Sequence, residues 1–63
     1  MLDGDPQMPF RPSITKFALG YHGATLLRIA PNDAWMGLVL FDDFGKAEWI
    51  NAADLGALGW RPL

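Results

Sequence analysis

The run of apolar residues from Trp35 to Phe41 is the clearest pattern in the chain. Because successive side chains of a strand point to opposite faces, Val39 would lie on one face and Leu38 and Leu40 on the other. A strand that is apolar on both faces is typical of one covered on both sides. The pattern therefore predicts a central strand, Trp35–Phe41, that is buried on both faces.

A turn and a second strand follow this run. Asp42–Gly45 has the composition of a type I turn that ends with Gly45 in the left-handed conformation. Lys46–Asn51 then reads as the returning strand, which makes Trp35–Asn51 a β-hairpin. Gly37, inside the first strand, predicts a bulge or a close backbone approach.

Two further strands are predicted upstream. Ser13–Tyr21 alternates in the way a half-buried strand does, and Thr25–Ala30 is a second β-compatible run. The predicted turns are His22–Ala24 between them and Pro31–Ala34 before the hairpin.

The pattern changes to helical spacing after Asn51. Asn51 is a good N-cap, Asp54 lies three residues later, and Gly59 stands where a C-cap glycine belongs. Gly56 weakens a helix, so a two-turn α-helix and a 3₁₀ turn over Ala52–Leu58 remain alternatives.

The first twelve residues show no periodicity and contain three prolines. We interpret residues 1–12 as an extended leader, disordered over Met1–Gln7, and residues 13–63 as one small β domain. Phe10, an aromatic residue between two prolines, is the exception that we expect to pack back onto the domain.

The segment Gly37–Leu55 resembles the third and fourth strands of small SH3-like barrels of the Tudor kind. These have an apolar strand ending in Phe-Asp-Asp-Gly, a charged hairpin, and a 3₁₀ turn ending in Asp-Leu; here Phe44 displaces the glycine. The resemblance covers about a third of the chain. It implies an all-β fold, a four-stranded antiparallel sheet curled toward an SH3-like barrel with a short C-terminal helical turn.

Tudor-like barrels also bind methylated Lys or Arg in an aromatic cage. The resemblance therefore implies one candidate function, a methyl-Lys or methyl-Arg reader, with Tyr21, Trp35 and Phe44 as the candidate cage residues.

Length and composition limit the remaining possibilities. A chain of 63 residues is one domain, and without cysteine it has neither disulfides nor thiolate zinc ligands. Apolar residues make up 51% of the chain. A body of this size cannot bury them all, so we expect an exposed apolar patch, which usually marks an interaction site.

Charge and hydropathy exclude several partners. Five Lys or Arg against seven Asp or Glu give a net charge of −2, without the clustered cations that nucleic-acid binding requires. The apolar runs are far shorter than the ~20 residues that span a bilayer, so no membrane partner is expected. The N-terminus lacks the pattern of a secretory signal, and we expect a cytoplasmic protein.

Candidate catalytic and metal-binding residues are few. His22 is the only histidine and Ser13 the only serine, and neither has a recognisable catalytic context. Asp42 and Asp43 fit a turn better than a calcium loop. The sequence predicts no catalytic activity, no metal and no cofactor.

The hypothesis that remains is a non-catalytic protein-binding module or small inhibitor that docks through exposed aromatic side chains. Very small cysteine-free proteins of this type are frequent among phage host-takeover and anti-defence factors. The candidate contact residues are Trp60, Arg61 and Phe44, with Tyr21 and Trp35 as further aromatics. Trp60 is either a surface anchor or a plug for the open end of the sheet. The alternative partner is a second copy, in a homo-oligomeric structural component.

Overall fold

The computed structural model describes residues 8–63, which form one five-stranded antiparallel sheet and one short helix. The sheet order is β4-β3-β2-β1-β5. The bounds are β1 Lys16–Leu19, β2 His22–Ala30, β3 Asp33–Phe41, β4 Lys46–Asn51, α1 Ala52–Ala57 and β5 Arg61–Pro62. The predicted all-β fold is confirmed, with a fifth strand that the sequence did not reveal. The predicted disorder of Met1–Gln7 lies outside the described residues.

The first turn lies earlier than predicted. The structure places it at Gly20 and Tyr21, and His22 pairs with Leu19. Gly20 has a φ of +61°, and a two-residue turn that begins with such a glycine matches the twist of the two strands. His22–Ala24, predicted as a turn, therefore belongs to β2.

The β3–β4 hairpin is confirmed. Phe41 pairs with Lys46, and Gly45 has the predicted positive φ, +67°. The carbonyl of Phe41 accepts hydrogen bonds from the amides of Phe44 (3.0 Å) and Gly45 (2.9 Å). These bonds define the tip of the hairpin, with Phe44 at its end.

The core lies on one face of the sheet only. Val39 is completely buried, whereas Leu38 and Leu40, on the other face, are half-buried. The prediction that this strand is buried on both faces is wrong, because both α1 and the segment before β1 contribute to the same core. That core consists of Phe10, Phe17, Ala24, Leu26, Val39, Ala52 and Leu55.

The opposite side of the sheet is named here the outer face. Cross-strand pairing aligns Leu40 with Thr25 and Ala47, and Leu38 with Arg28 and Trp49. Trp49 is 49% exposed there. The outer face is defined by these six residues and by Met36, which lies two residues before Leu38 on β3.

The segment before β1 crosses the core face at Gly37. A Cβ on Gly37 would lie 2.8 Å from the ring of Phe10 and 2.7 Å from Leu26 Cδ1. The predicted close approach at this glycine is thus confirmed. The amide of Phe10 donates to the carbonyl of Ala34 (2.9 Å), and its ring meets that of Phe17 edge-on at 6.1 Å. Phe10 packs onto the domain as expected.

Helix α1 is a true α-helix, which decides between the two alternatives. The side chain of Asn51 accepts from the amide of Ala53 (2.8 Å), so Asn51 is the predicted N-cap. At the other end, the amide of Gly59 donates to Gly56 (2.9 Å) and that of Trp60 to Leu55 (3.3 Å). This pair of bonds is a Schellman motif, and it directs the chain from α1 toward β5.

Candidate functional site

Trp60 is held against the core at the point where α1 meets β5. Its ring centroid lies 5.6 Å from that of Phe41 on β3, at an angle of 59°. In a flat sheet β3 and β5 would stand about 14 Å apart, three strand spacings, so this contact requires a strongly curled sheet. Trp60 is nevertheless only half-buried. It combines a structural contact with an accessible surface.

A cleft of about 370 Å³ opens beside Trp60. We name it the Trp60 cleft. It is bordered by the segment before β1, by α1 and by β5, and its floor reaches the buried residues Phe10, Phe17 and Leu55. The remaining lining residues are Met8, Pro9, Arg11, Ile14, Ala52, Gly56, Trp60, Arg61 and Pro62.

Tyr21 and Phe44 lie at one end of the sheet. Tyr21 lies in the turn between β1 and β2, where Leu19 pairs with His22. Two residues after His22, Ala24 pairs with Phe41 at the end of β3, so the turn that contains Phe44 adjoins the turn that contains Tyr21. Tyr21 is fully exposed and Phe44 is 79% exposed. Both aromatic rings are therefore presented to solvent.

Side-chain contacts connect the two turns. The Nδ1–H of His22 donates to the carboxylate of Asp43. We name the four residues Tyr21, His22, Asp43 and Phe44 the turn-tip surface. The first hairpin supplies Tyr21 and His22, and the second supplies Phe44 and Asp43. Each hairpin thus contributes one exposed aromatic ring and one residue of the His22–Asp43 pair.

Asp42, next to this pair, makes a second connection between the hairpins. Its amide donates to the carbonyl of Gly23 (3.0 Å), and its carboxylate accepts from Thr25 Oγ1 (3.4 Å). Lys16 Nζ in turn donates to Thr25 Oγ1 (3.1 Å). A Cβ on Gly23 would lie 2.8 Å from Asp42 Oδ2, so glycine is what leaves space for the carboxylate.

Trp35 lies far from the other predicted site residues. It stands near the start of β3, where its amide donates to Asp33 Oδ1 (3.0 Å) and its side chain packs against the core. Phe41, at the other end of β3, is six residues away, which is about 20 Å of strand. Tyr21 and Phe44 therefore share one end of the sheet, and Trp35 cannot complete a cage with them.

The Trp60 cleft contains residues that the sequence did not bring together. The sequence predicts Trp60 and Arg61 as neighbours in a contact surface, but it places Arg11 in the leader. The signal in the sequence that could have placed Arg11 at this cleft is Phe10, because its expected packing onto the domain brings the next residue, Arg11, with it. The outer face was missed because Trp35–Phe41 reads as apolar throughout, which does not tell which face is covered.

Among residues 8–63, no group of three or more His, Asp or Glu is arranged to hold a metal ion. His22 and its partner Asp43 are both largely exposed. Their visible role is to hold the two turns together. Within the same range, no helix is long and apolar enough to cross a membrane.

The chain matches no protein-family model, and no curated protein or solved structure is significantly similar to it. Function must therefore be inferred from the geometry of the described residues.

Proposed function

We propose that this protein is a non-catalytic protein-binding module whose contact surface is the turn-tip surface. The observation that carries the proposal is the exposure of Tyr21 and Phe44 at the ends of two connected hairpins. Aromatic residues are enriched among those that dominate binding energy, because they bury a large area at a small cost in side-chain entropy. The proposed partner is a larger protein with an apolar pocket. Where that pocket is needed for the partner's activity, binding of this chain would inhibit the partner.

Preorganisation supports the proposal. The His22–Asp43 pair and the hydrogen bond that the amide of Asp42 donates to the carbonyl of Gly23 hold the two turns in one arrangement. Two aromatic rings on connected turns lose less conformational freedom on binding than rings on independent loops. The free protein thus already presents its contact residues close to a bound geometry.

We also propose that the fold is related to that of SH3-like barrels. Strand β1 pairs with both β2 and the last strand, β5, and α1 stands between β4 and β5. The Phe41–Trp60 contact adds the curl that a barrel requires. A methyl-Lys or methyl-Arg reader is not proposed, because the candidate cage residue Trp35 lies at the wrong end of β3.

The test compares captured partners for matched variants. Tagged wild-type protein, a Tyr21→Ala/Phe44→Ala double variant and a Leu58→Ala control are used to capture proteins from cells of the native host. Leu58 is an exposed apolar residue outside the turn-tip surface, 63% exposed, so it controls for general stickiness. We expect one protein to be retained by wild type and Leu58→Ala and lost with the double variant.

Affinity for the purified partner then completes the test. The double variant should bind about 2 kcal/mol or more weakly, with an unchanged melting midpoint. Equal capture by all three proteins would refute the turn-tip surface as the binding site.

Self-association through the outer face is a second candidate. Trp49 is about half-exposed, and Leu38 and Leu40 lie beside it without a covering layer in the described part of the chain. A contiguous apolar patch of this kind favours an interface. Sedimentation equilibrium would show a dimer that dissociates in a Trp49→Ser variant; a monomer at every concentration tested would exclude it.

A further inference from the structure

We propose that the Trp60 cleft binds a small-molecule carboxylate with an apolar body. This site is distinct from the turn-tip surface, shares no residue with it, and does not depend on the proposed protein-binding function. Its volume of about 370 Å³ lies within the range of small-molecule sites, about 300–1,000 Å³. Its floor is formed by aromatic and aliphatic side chains of the core.

Charge determines which ligand fits. Among residues 8–63, the charged residues that line the Trp60 cleft are Arg11 and Arg61, and no acidic residue of this range lines it. Two of the five cations in a chain of net charge −2 are therefore placed at one apolar cavity. Neither arginine takes part in a salt bridge with any of residues 8–63. Guanidinium groups bind carboxylates through paired, charge-assisted hydrogen bonds, so an anionic head beside an apolar body matches this lining.

The secondary structure beside the cleft favours a small molecule over an extended peptide. A peptide that adds to a sheet edge relies on main-chain hydrogen bonds along several residues. The strand that borders the cleft, β5, has only two residues, and one of them is Pro62, which has no amide hydrogen. A ligand here is recognised by apolar contact and by the two arginines.

The test uses decanoate, with decanol as the matched neutral probe of the same chain length. Binding to the full-length protein is followed through the indole N–H resonance of Trp60, below the concentration at which decanoate forms micelles. We expect saturable decanoate binding that is weakened about tenfold or more in an Arg11→Gln/Arg61→Gln variant, because charged hydrogen bonds are lost. Decanol binding should be equal in the two proteins.

Each alternative outcome contradicts the proposal. Absence of saturable decanoate binding would refute the site, and equal decanoate affinity in the arginine variant would refute recognition of the carboxylate. Tighter binding of a short peptide that ends in leucine with a free carboxylate would assign the site to a protein segment. Both arginines are exposed, so the variant should retain its fold, which its melting curve checks.

The Tyr21→Ala/Phe44→Ala variant separates this site from the proposed function. It should bind decanoate as the wild type does, even if it captures no protein. Loss of decanoate binding in that variant would mean that the two sites are coupled and would contradict their independence.

Discussion

Val39 and Leu40 are neighbours on β3 with opposite environments. Val39 is 0% exposed in the core, whereas Leu40 lies on the outer face, half-buried between Thr25 and Ala47. Burial at a single position is decided by which other elements cover that face. Hydrophobicity alone therefore predicted Val39 correctly and overestimated the burial of Leu40.

Replacement of these two residues by alanine tests this asymmetry. Val39→Ala should lower the free energy of unfolding by about 2 kcal/mol or more, because it leaves a cavity in a closed core. Leu40→Ala removes more atoms but should cost only about 1 kcal/mol, since that side chain is only partly buried and its removal leaves no closed cavity. Urea denaturation of both variants measures the difference. A larger loss for Leu40→Ala would mean that the outer face is covered in solution.

Single residues also set the limits of prediction from sequence. The roles of Gly37 and Gly45 were predictable, because a glycine inside a strand is typical of a close approach and a glycine after Asp-Asp is typical of a left-handed turn position. Tyr21 was assigned to a strand, although it stands in the turn. Its turn was misplaced because His22–Gly23 and Gly20–Tyr21 are equally plausible turns, and only the pairing of Leu19 with His22 decides between them.

At the level of elements, helix α1 shows how local sequence positions a distant side chain. The Asn51 cap starts the helix, and the Schellman motif at Gly59 ends it, which leaves Trp60 against Phe41. Both helix ends were predictable because caps are local signals. Strand β5 was not, because two residues containing a proline carry no recognisable strand pattern; only pairing with β1 makes them a strand.

Removal of the N-cap tests the contribution of α1. Asn51→Ala should lower the free energy of unfolding by about 1 kcal/mol, because the amide of Ala53 loses its acceptor. Asn51→Ser is the matched control, since serine can accept the same hydrogen bond. Thermal melting of the three proteins should rank wild type and Asn51→Ser together above Asn51→Ala. Equal melting of all three would contradict a stabilising cap.

At the level of the whole molecule, a 63-residue chain has one small core and little reserve. A stability of about 3–9 kcal/mol is expected for this length. Phe10 contributes to that core from outside the sheet, packed on Gly37 and against Phe17. The segment before β1 is thus a structural part of the domain from Phe10 onward, and it also forms one border of the Trp60 cleft.

Phe10→Ala should therefore have a global effect. The expected loss is about 3–5 kcal/mol, a large share of the total stability. Phe10→Leu, which keeps an apolar side chain of reduced volume, should lose clearly less. Chemical denaturation measures both variants, and a Phe10→Ala protein as stable as the wild type would show that this residue does not belong to the core.

The proposal that the turn-tip surface contacts a partner can be tested most directly by site-specific photo-crosslinking in cells of the native host. A photoreactive phenylalanine analogue replaces Phe44 in one protein and Leu58 in a control, and mass spectrometry identifies the crosslinked proteins. We expect one defined protein adduct from position 44 that is absent from position 58. No adduct at position 44, or the same adducts from both positions, would contradict it.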